Sequence, residues 1–201
     1  MSEPAVRPAR PADSVAVAPL LYESATGMYD RFAGGATRAV SVIETAVETP
    51  GNNASSEIVS VAELDGTLVG AMAAFAVGEA ASRARAFLRL TLRNIPPWRW
   101  PSALWLYWAG AHAAPAPPDA SLYVDALAVD SGVRRRGVAS ALLAGAEREA
   151  YRRGLPAVSL DTSLDNKPAR SLYLEAGFEE VAYRPPGRGL PGFVALVKPV
   201  S

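Results

Sequence analysis

The chain has 201 residues and no formal net charge, with 20 lysines and arginines against 20 aspartates and glutamates. That balance speaks against wholesale nucleic-acid binding, which draws on a basic surplus. Cysteine is absent, which excludes disulfides, thiolate metal sites and a cysteine nucleophile and agrees with a reducing, cytoplasmic setting.

In chain order, a Pro/Ala-rich start without the apolar core of a signal peptide leads to a short strand near Ala5–Pro8. Val17, Leu20, Leu21, Ala25 and Met28 recur at helical spacing, so one amphipathic helix is expected over 13–32, stopped by Gly34 and Gly35. A second helix is expected over 37–48, ending before Pro50, followed by a polar loop, GNNASS. Strands at 57–64 and 67–77 flank Asp65-Gly66, a strong short hairpin signal. Residues 79–118 read as an inserted helical and loop segment; its apolar run, 102–114, falls short of the roughly twenty residues of a membrane-spanning helix. A nearly continuous apolar strand at 122–129 suits a position covered on both faces. After it come a helix at 138–153 stopped by Gly154, a strand at 157–161, a short helix at 168–176 capped by Gly177, and strands near 178–184 and 193–198. The order implies a single α/β domain over 1–201, with a mixed sheet of six to seven strands and helices on both faces.

The segment most informative about chemistry joins the 122–129 strand to the 138–153 helix: Val129-Asp-Ser-Gly-Val-Arg-Arg-Arg-Gly-Val-Ala. A strand, a tight turn and a helix in this order aim main-chain N–H groups and the positive end of the helix dipole into one concavity. Gly137 and Ala139 leave that concavity open, and Arg134, Arg135 and Arg136 add charge beside it, so a pyrophosphate is the expected guest. Asp125 is the only charge in an otherwise apolar strand; a carboxylate held there is either a base with a raised pKa or a side chain satisfied by structural hydrogen bonds.

In these residues the sequence resembles the GNAT superfamily of N-acetyltransferases. The signature Arg/Gln-x-x-Gly-x-Gly/Ala falls on Arg134, Gly137 and Ala139, and the downstream pattern on Asn166, Ala169, Leu172-Tyr173 and Gly177-Phe178. The resemblance implies a fold and a set of roles. Leu127, Ala128 and Val129 would pair their main chain with the pantetheine arm of acetyl-CoA. Arg134, Arg135, Arg136, Gly137, Val138 and Ala139 would hold its pyrophosphate. Asn166 would hydrogen-bond the arm, and Tyr173, also beside the cofactor, would protonate the departing thiolate.

The implied activity is acetyl transfer from acetyl-CoA to a primary amine by direct attack, the acceptor being a small molecule or a protein amino group; a non-catalytic acyl-CoA-binding module is the alternative. Asp161 is a further candidate for a cationic acceptor, and Tyr22, Tyr29, Phe32 and the tryptophans of 98–108 are candidate pocket walls, core or dimer contacts. A homodimer is left open, and neither nucleic acid nor membrane is expected as a partner. The feature that would argue for either of these is the Arg-rich stretch 83–99 with its tryptophans. His112, the only histidine, sits in the inserted run and is read as incidental; no cluster has metal-ligand spacing, so no metal is expected.

Overall fold

The computed structural model describes residues 3–187 and 189–200. Its helices are α1 (Ser14–Ser24), α2 (Thr26–Ala33), α3 (Ala36–Glu48), α4 (Ala80–Asn94), α5 (Trp100–Gly110), α6 (Val138–Arg152) and α7 (Lys167–Glu175). The strands are β1 (Ala5–Pro8), β2 (Val59–Leu64), β3 (Thr67–Ala76), β4 (Ser121–Val129), β5 (Ala157–Ser163), β6 (Glu179–Arg184) and β7 (Phe193–Pro199). They form one sheet in the order β1-β2-β3-β4-β5-β7-β6. All neighbours are antiparallel except β4 and β5. A parallel pair needs a crossover, which α6 supplies.

The sheet is covered on both faces. Val17 and Leu21 of α1 and Ile43 and Val47 of α3 meet Val61, Ala71, Ala73 and Phe75 on one side. On the other, Leu142, Leu143 and Ala146 of α6 meet Met72, Leu122, Val158, Leu160 and Leu196. Fully burying an aliphatic side chain of this size stabilises the fold by about 1.5–3 kcal/mol, so these two layers dominate its cohesion. Gly70 permits a close approach of α6 to the sheet. A Cβ there would stand 2.8 Å from Val138 Cγ1 and 3.2 Å from Leu142 Cδ1.

The structure corrects several expectations. The helix expected over 13–32 is two helices. Ala25 leaves helical geometry (φ −150°, ψ 48°), and the Ser24 hydroxyl donates to the Leu21 carbonyl at 2.7 Å, a local bond that competes with helix propagation. After the break, the Tyr22 hydroxyl donates to Asp30 at 2.9 Å and braces α2 against α1. The strand expected from 57 starts at Val59, because the Glu57 carboxylate accepts the Gly51 N–H (2.9 Å) inside the preceding loop. The Asp65-Gly66 hairpin forms with both residues at positive φ (51° and 77°), as a primed turn requires. Residues 79–118 hold α4 and α5, separated by a short helical turn at Pro97–Arg99.

Candidate active site

The centre of the sheet opens between β4 and β5. Their parallel pairing covers only 121–124 against 157–160. The zipped end is tied by the buried hydroxyls of Ser121 and Ser159, 2.7 Å apart. Beyond Val124 the two strands are not paired, so the β5-facing main chain of Leu127, Ala128 and Val129 has no strand partner there.

A bulge lies at the mouth of this opening. In the β3–β4 register Ala73 faces Ala126 and Ala74 faces Val124, which leaves Asp125 as the extra residue. The bulge reverses the side-chain phase of β4. Leu122 and Val124 point to the α6 side before it, whereas Ala126 and Ala128 point to the α1–α3 side after it. A bulge re-aims a side chain without dismantling the sheet, and here the one re-aimed carries the carboxylate.

The loop after β4 has the expected form. Arg135 (φ 66°) and Gly137 (φ 77°) both occupy the left-handed region, which turns successive amides toward a common side. An arginine there is strained by about 1–3 kcal/mol, the sort of cost found where a site needs a particular backbone shape. No side chain caps α6, and its first-turn N–H groups have no acceptor within the helix. A Cβ on Gly137 would meet no atom within 4 Å, so the space before the helix is open. Arg134 and Arg135 are exposed beside it, and Arg134 lies 3.9 Å from Glu23 at the end of α1. These features fit a pyrophosphate.

A polar cluster lies around the opening. Asn53 Nδ2 donates to Asp125 Oδ2 at 3.1 Å, and the Tyr123 hydroxyl donates to Asp161. Tyr29, from α2, is close enough to Asp125 for burial and that carboxylate together to raise its phenol pKa. Asp125 itself is pushed up to about 7 by the surrounding protein and then by the charge of Asp161, against the lowering effect of Asn53. Solvent reaches Asp125 down the open cleft, so screening trims that rise until the cleft is filled. Asp161 is raised by burial, with Tyr123 opposing. Across the opening, Tyr173 is buried on α7 with its ring 6.0 Å from that of Phe178. Burial and the Asp161 charge push its phenol up to about 12, so it stays protonated at any ordinary pH.

The structure thus brings Asp125, Asp161 and Tyr173 near one opening and sets Arg134, Arg135, Arg136, Gly137, Val138 and Ala139 at the start of α6. Asn166 caps α7, its Oδ1 accepting the Ala169 N–H at 3.3 Å, so its amide nitrogen is the group that could reach a ligand. His112 closes the end of α5, with Nδ1 2.8 Å from the Trp108 carbonyl. Sequence reading missed Asn53 and Tyr123. Asn53 lies in a polar run that reads only as loop, and Tyr123 meets Asp161 only once β4 and β5 are set side by side. A hollow of ≈ 340 Å³ involving Val6, Arg7, Met72, Arg148 and Glu149 lies by the second half of α6. That hollow lies by the end of α6 away from Gly137, so it is not the space before the helix. Among the described residues, no group of three or more His, Asp or Glu side chains could hold a metal ion, and no helix is long and apolar enough to cross a membrane.

The sequence profile described as the Acetyltransferase (GNAT) family matches residues 28–178. No curated protein sequence matches the chain significantly. Similar solved structures include an N-acetyltransferase from Staphylococcus aureus Mu50, 19% identical, covering 96% of this chain and 100% of its own, with a TM-score of 0.73. A crystal structure described simply as an acetyltransferase is 18% identical, covers 98% and 100%, and has a TM-score of 0.71. A structure described as histone acetyltransferase HPA2 and related acetyltransferase, from Corynebacterium glutamicum ATCC 13032, is 22% identical, covers 100% and 98%, and has a TM-score of 0.63. At these identities the structures establish a shared fold.

Proposed function

The chain belongs to the Acetyltransferase (GNAT) family, and from that premise we propose that it moves an acetyl group from acetyl-CoA to a primary amine by direct attack in a ternary complex. The observation that carries this reading is the coincidence of an open anion cradle at α6 with a bulge-borne carboxylate at the mouth of the β4–β5 opening. Acetyl-CoA, when bound, supplies an acyl carbonyl made reactive by its thioester.

Each residue then has a physical task. The first-turn N–H groups of α6 receive the pyrophosphate, with Arg134, Arg135 and Arg136 adding charge-assisted donors. Leu127, Ala128 and Val129 offer strand-edge groups to the pantetheine arm, and one of their N–H groups can donate to the carbonyl oxygen as it gains charge. Asn166 steadies the arm through its amide. Asp125, on the α1–α3 side, accepts a proton from the incoming ammonium, directly or through water, so that the neutral amine can attack. Tyr173, on the α6 side, donates to the sulfur as it departs. Its pKa of about 12 lies above the ordinary thiol value, so this is hydrogen-bond donation to a developing thiolate rather than early proton release. Holding donor and acceptor in line lowers the entropic part of the barrier.

Asp125, close to the phenol of Tyr29, whose ring lies 6.4 Å from that of Tyr22, favours an amine that arrives as a cation. A panel of amines tested with acetyl-CoA for release of free thiol examines the whole reading. Turnover with at least one amine, reduced on the order of 10²-fold or more in Asp125→Asn, supports it. No thiol release with any amine by a protein that binds acetyl-CoA would contradict it.

A further inference from the structure

All four tryptophans of the protein fall between 98 and 108, and all are exposed: Trp98 at 78%, Trp100 at 43%, Trp105 at 40% and Trp108 at 48%. Leu104, 47% exposed, stands between Trp100 and Trp108 in the four-residue rhythm of α5, so the three form one row along the helix. The inward row is Ala103, Leu106 and Ala109, packed near Met28 and Phe32 of α2. The helix is therefore apolar on both sides, although only one is covered.

The charge around this face has a single sign. From 80 to 118 the sequence has five arginines and no aspartate or glutamate, in a chain that is neutral as a whole. Arg83 pairs with Glu79 at 2.6 Å, and Arg99 is packed under Gly34 at the α2–α3 turn. Arg85, Arg89 and Arg93 form an exposed row on α4 at four-residue spacing, and none takes part in an ion pair among the described residues. The row ends beside Leu92, whose carbonyl accepts the Trp100 indole N–H at 3.0 Å, so the cationic and aromatic rows meet there.

We propose that this arginine-edged tryptophan face of α4 and α5 docks on an anionic lipid surface. Indole rings sit favourably at the level of lipid headgroups, apolar body inward and N–H toward water. Unpaired arginines beside them gain from a negatively charged bilayer, by roughly 1 kcal/mol each near the surface. A second copy of the chain fits less well, because a twofold interface on this face would bring the Arg85–Arg89–Arg93 row near its own image. A nucleic-acid strand also fits less well. Single strands are held in grooves, whereas Trp98 stands out on the turn between α4 and α5.

The tryptophan content makes the test selective, since all intrinsic indole fluorescence comes from this face. Titrating the full-length protein with mixed phosphatidylcholine–phosphatidylserine vesicles should shift its emission to the blue and sediment it with the vesicles. Pure phosphatidylcholine vesicles should do so much less. The double variant Arg89→Glu/Arg93→Glu should bind the mixed vesicles about 30-fold more weakly or worse. Trp98→Ala, at a site too exposed to disturb the fold, should weaken binding while leaving the melting temperature unchanged. Equal binding to neutral and anionic vesicles, or none to either, would overturn the proposal. So would a blue shift that grows with protein concentration without lipid and accompanies a dimer in sedimentation, or a blue shift on adding a single-stranded oligonucleotide but not vesicles.

Discussion

Asp125 shows how far a single residue can be read from sequence. A lone carboxylate in an apolar strand stands out in the sequence because such a group must be satisfied, paired or functional. The structure adds what no sequence pattern carries: Asp125 is the bulged residue, Asn53 is its donor, and Asp161 is the like charge that helps lift its pKa to about 7. Those partners lie far from Asp125 along the chain, at 53 and 161, so no local pattern could reveal them. If Asp125 is the base, kcat, which reports the filled cleft, should rise with pH through about 7, and Asp125→Asn should lose that rise along with its activity. A rise kept intact in the variant would assign the base elsewhere.

The same shift bears on stability. A carboxyl raised from its ordinary 3.8 binds its proton more tightly in the folded protein, so its ionisation costs folding free energy as pH climbs from about 4 toward 7, a cost that solvent in the open cleft of the free protein reduces. Asp125→Asn should therefore melt above the wild type on the alkaline side of this window and close to it on the acid side, as read by thermal unfolding at several pH values. Tyr173→Phe should slow kcat on the order of 10²-fold while leaving acetyl-CoA affinity nearly unchanged. A loss confined to affinity would make Tyr173 a packing residue of the cofactor wall.

At the scale of elements, β4, α6 and the loop between them were legible because each depends on short-range rules. These are the apolar run of a doubly covered strand, the helical spacing of Leu142, Leu143 and Ala146, and a glycine where the backbone must turn left-handed. The break at Ala25 was not legible, since apolar spacing continues across it and the competing bond is a single serine hydroxyl. The bulge was hidden for a related reason. The strand stays apolar on either side, and only the register with β3 exposes the phase change. The loop before α6 also depends on how closely that helix lies on the sheet. Gly70→Val should press on Val138 and Leu142, destabilise the protein by about 1–3 kcal/mol, and weaken acetyl-CoA binding by displacing the first turn of α6. Unfolding and binding measured on the same variant check both effects; a stable variant with normal affinity would remove this link.

For the molecule as a whole, the sheet separates two tasks. The α6–α7 side carries the anion cradle and Tyr173, the α1–α3 side carries Tyr29 and Asn53, and the β4–β5 opening joins them. That layout favours direct transfer with both substrates present, and the absence of cysteine removes one acyl-carrying nucleophile. Double-reciprocal plots at several fixed amine concentrations should intersect; parallel lines would mean an acyl-enzyme and contradict direct attack. The most direct measurement is calorimetric titration of acetyl-CoA into the wild type and into Gly137→Glu, with melting curves on both. A carboxylate set before the bare N–H groups of α6 should abolish detectable binding in a variant that still folds. Undiminished affinity in that folded variant would show that the pyrophosphate does not sit at α6.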